Sequence, residues 1–135
     1  MMKYRDMLSG LEYNEEIEIE TEHALYLKTE ENFLVCKKCG HRITRMENMI
    51  LVDSQFKYTF TNLSGVAYII GCFSEAEGCI EYGIPTTEFS WFDGFRWCFA
   101  LCSSCSQHLG WYYISSRESF FGLILDLLVD TTTNH

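Results

Sequence analysis

Two cysteine pairs, Cys36 and Cys39 in CKKCG and Cys102 and Cys105 in CSSCS, have the C-x-x-C spacing that lets both sulfurs of one tight turn face a single ion. Gly40, just after the first pair, suits the left-handed backbone that such a turn often requires. Two such knuckles make a tetrathiolate site for one Zn²⁺, closed to water and therefore structural rather than catalytic. A thioredoxin-like dithiol would need one C-x-x-C at a helix start in a βαβ pattern, which this chain lacks. Cys72, Cys79 and Cys98 remain and read as small core hydrophobes. With four thiolates at hand, His41 and His108 read as supporting or core histidines rather than ligands.

Beside the second knuckle, residues 88–111 hold all three tryptophans. Trp91 and Trp97 flank a turn at Asp93-Gly94, and the knuckle would fold the strand of Trp111 back beside that of Trp97. Core packing is the commoner fate of tryptophan in a small β domain, and spacing alone favours it. The functional alternative is a concave site lined by three indoles. Such a cage attracts a cation, for example methylated lysine or choline. It also clasps a flat neutral ring, whose polar edge must then meet backbone groups, because an unpaired buried amide is costly. The chain shows no glycine-rich phosphate loop and no Ser-His-Asp arrangement, and Glu88 and Asp93 read as turn or surface acids.

The elements that must carry these residues read as short strands. Aromatic residues make up 16% of the 135 residues, there is one proline, and no long segment has a clear helical period. From Phe33 onward, apolar and aromatic runs alternate with Gly, Asn and Ser clusters, predicting antiparallel β. The apolar run from Phe120 to Leu128 fits a strand or a short helix. Residues 1–32 form an acidic N-terminal extension, in which the alternation from Ile17 to Leu27 fits an edge strand or a solvated tail; residues 33–135 form the domain. A net charge of −9 argues against a nucleic-acid partner. No stretch resembles a membrane span or signal peptide, so the expectation is a soluble protein of cytoplasm or nucleus with no membrane partner.

At these residues the sequence resembles the CULT family, the thalidomide-binding domain type of cereblon. The matching segments are CKKCG at 36–40, FTNLSG at 60–65, TTEFSWFDGFRW at 86–97, CSSCSQHLGW at 102–111 and FFGL at 120–123. The resemblance implies an all-β fold, a β-tent of two antiparallel sheets pinned by one structural zinc. It also implies a non-enzymatic pocket walled by Trp91, Trp97 and Trp111, closed by an aromatic on the last strand, here Tyr113, with Asn62 near the mouth. A cyclic imide would present its edge to backbone groups, the Phe89 carbonyl accepting the imide N–H and the Trp91 amide donating to a ring carbonyl. The family carries histidine where this chain has Phe89, and proline where it has Leu63, so ring affinity is expected to be retuned and the mouth loop reshaped.

The expected ligands are glutarimide, succinimide, thalidomide-type and uridine-like rings, or protein termini ending in cyclised Gln or Asn. From the small size of a bare imide, the expected dissociation constant is micromolar. The competing function is an aromatic-cage reader of methylated lysine or quaternary ammonium. A methionine-sulfoxide-reductase-like enzyme shares a similar C-x-x-C-x-x-H-L-G segment, but needs a nucleophilic cysteine on a later strand, and none follows Cys105. A ubiquitin-ligase adaptor region is not expected in this chain.

Overall fold

The structure is a computed structural model and describes residues 2–3 and 32–131. The alternation at Ile17 to Leu27 lies outside the described residues. Eleven strands are described: β1 (Met2–Lys3), β2 (Phe33–Cys36), β3 (Arg42–Arg45), β4 (Ile50–Leu51), β5 (Lys57–Thr61), β6 (Ala67–Phe73), β7 (Cys79–Thr86), β8 (Arg96–Cys102), β9 (His108–Ile114), β10 (Ser119–Ile124) and β11 (Leu128–Asp130). Two single 3₁₀ turns, Met46–Asn48 and Leu125–Leu127, complete the regular structure among the described residues. The fold is all-β, with two principal antiparallel sheets: six strands in the order β5-β6-β10-β9-β8-β7, and three in the order β11-β2-β3. The backbone of β1 pairs with β4 in a separate two-stranded ladder.

The apolar run near the C-terminus resolves as a strand, β10, followed by a 3₁₀ turn into β11. The reason is visible in its burial: Phe120 and Phe121, neighbours in sequence, are both buried on opposite faces of the sheet, which an amphipathic helix would not do.

Burial on both faces extends across the central strands of the six-stranded sheet and divides the core in two. On one face Phe73, Ala100, Cys102, Leu109, Phe121 and Leu123 pack with Leu34, Cys36 and Ile43 of the three-stranded sheet. On the other, Ile70, Cys72, Trp111, Tyr113, Phe120 and Ile124 pack with Phe92 from the β7–β8 loop. Cys72, Cys79 and Cys98 are buried, and burial pushes the Cys72 and Cys79 thiols up to about 12 and raises Cys98. Such thiols stay protonated and unreactive.

The sheets touch backbone to backbone at Gly78, whose N–H donates to the Ile43 carbonyl and whose carbonyl accepts from Ser103 N–H. A Cβ there would lie 2.0 Å from the Arg42 carbonyl oxygen and 2.6 Å from Ile43 Cα, atoms that cannot step aside as a side chain can. Gly78→Ala is therefore expected to cost about 1–3 kcal/mol or more. Urea unfolding of the metal-loaded variant would show this as a lower midpoint, and an unchanged midpoint would mean that the contact between sheets is not tight.

Candidate functional site

Each cysteine pair begins at the end of a strand, Cys36 closing β2 and Cys102 closing β8. Both turns use the same backbone pattern. Gly40 N–H donates to the Cys36 carbonyl and Ser106 N–H to the Cys102 carbonyl, while Cys36 and Cys102 donate to the carbonyls of His41 and Gln107. The turning residue is left-handed in each, Gly40 with φ +80° and Ser106 with φ +65°. The four sulfurs lie within 4.8 Å of one another, with 3.7 Å between Cys36 and Cys105 and 3.6 Å between Cys39 and Cys102. A tetrahedron of Zn–S bonds would set neighbouring sulfurs about 3.8 Å apart, whereas a disulfide would need about 2 Å. The donor set thus fits one soft metal ion.

The knuckles also offer N–H groups to the sulfurs. Cys36 receives Cys39 and Lys38, Cys102 receives Cys105 and Ser104, and the His41 N–H holds the Cys39 thiol down to about 7. Burial still pushes Cys102 up to about 11 and raises Cys36, so a divalent cation is the group that would ionise all four together. One pair belongs to each principal sheet, so the ion would tie the two together. His41 is not among the four; its Nε2 is hydrogen-bonded with Ser103 Oγ at 2.9 Å, linking the two knuckles from outside.

On the other face of the six-stranded sheet lies a cavity of about 580 Å³. All six residues expected at a ligand site, Asn62, Phe89, Trp91, Trp97, Trp111 and Tyr113, border it. Pairing explains why. Trp97 and Phe99 on β8 stand opposite Tyr113 and Trp111 on β9, so all four rings project from one face. Trp91 comes from the β7–β8 loop and meets Trp111 edge to face at 4.8 Å, while Trp97 stands T-shaped against Phe99 at 5.2 Å. The Trp97 Nε1–H donates to the Glu88 carbonyl at 2.7 Å and holds that loop over the sheet.

Three of the six differ in detail from the expectation. Tyr113 lies on β9, with two strands still to follow, and forms the cavity floor: it is 1% exposed and stacks on Phe120 at 5.0 Å. Phe89 has φ +57° and is 71% exposed, so its ring is no buried wall of the cavity but sits at the rim. The Asn62 carboxamide oxygen accepts from the N–H groups of Ser64 and Val66, which shapes the mouth loop without the family's proline and leaves Leu63 exposed.

Sequence reasoning missed four aromatic partners. Phe99 and His108 line the cavity beside the tryptophans. The period of two on β8 would have identified Phe99 from Trp97. The His108 Nε2–H donates to the Gly110 carbonyl, and burial lowers its pKa, so a neutral imidazole packs edge-on against Trp111 at 4.9 Å. Phe60 stacks on Trp91 at 4.7 Å and Tyr68 meets Trp111 at 5.4 Å. Both come from the distant β5–β6 hairpin, which the resemblance tied to the site only through Asn62 in its turn.

No family model matches this chain. Among curated proteins it is similar to protein cereblon of zebrafish, 29% identical over 105 residues that cover 73% of this chain and 24% of that protein. Protein cereblon of Drosophila erecta is 29% identical over 105 residues, 70% of this chain and 18% of the relative. Protein cereblon of Drosophila willistoni is 48% identical over 46 residues, 30% of this chain and 8% of the relative. The chain thus spans less than a quarter of the length of these relatives. With the four-cysteine cluster, the all-β fold and this similarity together, the chain carries a cereblon-like domain of the CULT type.

Proposed function

We propose that the chain is a non-enzymatic binding module for cyclic imides, with residues 33–135 as the binding domain, residues 1–32 as an acidic extension, and one structural zinc on Cys36, Cys39, Cys102 and Cys105. The observation that carries this is the pairing of an aromatic cavity with two backbone groups that have no hydrogen bond among the described residues. In the β7–β8 loop, the Glu88 carbonyl receives Trp97, Ser90 N–H donates to the Thr87 carbonyl, and Phe92 N–H donates to Ser90 Oγ. The Phe89 carbonyl and the Trp91 N–H have no hydrogen bond among the described residues, and the residues that bear them line the cavity. One acceptor and one donor, two residues apart, match the N–H and an adjacent C=O of an imide edge, while the indoles bury the ring. The ligand is a free cyclic imide or a protein terminus that ends in one.

A reader of quaternary ammonium groups has less support, because no carboxylate lies among the described lining residues to help desolvate a cation. A thiol enzyme has less still, since Cys72, Cys79 and Cys98 are buried thiols with raised pKa. Titration of intrinsic tryptophan fluorescence tests the choice. Glutarimide is expected to give a saturable change in the micromolar to low millimolar range, and a trimethyl-lysine peptide none. The imide proposal falls if glutarimide leaves the signal flat at millimolar concentration while the peptide shifts it.

A further inference from the structure

At the bottom of the cavity one polar group has no hydrogen-bond partner among the described residues. Tyr113 is 1% exposed, its ring stacked on Phe120 and edge-on to Phe92. A Cβ on Gly122 would come within 2.9 Å of Tyr113 Cε2, so the absence of a side chain there is what lets the ring lie over β10. Its hydroxyl has no hydrogen bond among the described residues, and no described side-chain oxygen or nitrogen is both sealed from solvent and unpaired. The hydroxyl is therefore reached through the cavity that Tyr113 lines. Burial raises its pKa, so it is a neutral phenol that can both donate and accept.

A ligand that fills this space decides whether the hydroxyl is satisfied. A hydrocarbon-backed imide would cover it with methylene groups, displacing any water there and leaving a desolvated polar group, which is costly. A ring with a second polar group outside the imide edge would pair with it. We infer that Tyr113 makes the cage selective for ureide rings, in which a ring N–H replaces one methylene, over glutarimide and succinimide. Resting on the imide reading above, the site then holds its ligand at two places: the Phe89–Trp91 backbone takes the imide edge on the loop side, and Tyr113 Oη accepts from the additional N–H on the sheet side.

Two matched pairs of probes isolate this contact. Dihydrouracil differs from glutarimide, and hydantoin from succinimide, by exchange of one CH₂ for N–H with the imide edge kept. For the parent protein, calorimetry or fluorescence titration is expected to give the ureide of each pair about tenfold tighter binding. Tyr113→Phe is expected to bring that ratio close to one. Because the hydroxyl has no partner to lose among the described residues, the ligand-free variant is expected to unfold at a midpoint no lower than the parent's. A lower midpoint would show that the hydroxyl is committed within the protein and would overturn the inference. Equal affinities within each parental pair, or a ratio that survives Tyr113→Phe, would overturn it alone and leave imide binding standing. If the parent binds none of the four rings, the imide reading fails and this inference with it.

Discussion

Removing the metal from the folded protein is expected to abolish its cooperative unfolding transition. The four thiolates lie on turns that end β2 and β8, which belong to different sheets. Besides the cysteines, the described residues join those sheets by a layer of apolar contacts, the backbone bonds of Gly78, the His41–Ser103 bond and the bond from the Thr44 hydroxyl to the Glu75 carbonyl. Structural zinc supplies about 10–16 kcal/mol in small zinc domains, as much as the roughly 5–15 kcal/mol that holds a typical domain together. Elemental analysis of the purified protein is expected to find one zinc per chain. A strong chelator should then eliminate near-ultraviolet circular dichroism and shift tryptophan emission to the red, and Cys39→Ser should do the same without a chelator. The cysteine thiols must lose protons to bind, so the metal should also be released more readily as pH falls. A chelated, zinc-free protein that still melted sharply at the parent's midpoint would show that the cluster does not hold the fold together.

Trp97→Ala should remove most of the imide affinity while it leaves zinc content and fold intact. Trp97 is half-buried at the cavity wall rather than at the centre of the core, so its loss need not open the hydrophobic cluster. The side chain has two tasks: its ring face lines the cavity, and its Nε1–H holds the Glu88 carbonyl, which fixes the loop that carries Phe89 and Trp91. Truncation of an aromatic anchor of this kind commonly costs 2 kcal/mol or more, so glutarimide should bind about 30- to 100-fold more weakly. Trp97→Phe separates the two tasks, because it keeps an apolar wall and loses the N–H; its affinity should fall between those of Ala and the parent. A Trp97→Ala protein with full zinc, the parental melting profile and the parental affinity would remove the cage from the binding site.

Much of the metal centre was legible in the sequence, since two residues between cysteines already put both sulfurs on one turn. The strand-rich fold was legible for a similar reason: a period of two is a local property, and it holds along β8 from Trp97 and along β9 from Trp111, past an irregularity in their pairing near Leu101. The C-terminal run was ambiguous because both of its faces are buried, which erases the polar half of the alternation. The backing of the cage was not legible at all. Phe60 and Tyr68 reach Trp91 and Trp111 only because β6 pairs with β10 and β10 with β9, a register set over some fifty residues of chain.

By itself the sequence determined the four cysteines of the candidate metal site, the β character of the domain and which aromatic residues were available for a cage, because each depends on spacing within a few residues. Only the tertiary structure decided which of those rings share a cavity, that Phe89 is exposed at its rim, and that Tyr113 is buried in its floor with a hydroxyl that has no hydrogen bond among the described residues. Those properties depend on strand order and on which face of a sheet is covered, and both are settled by contacts between residues far apart in the chain.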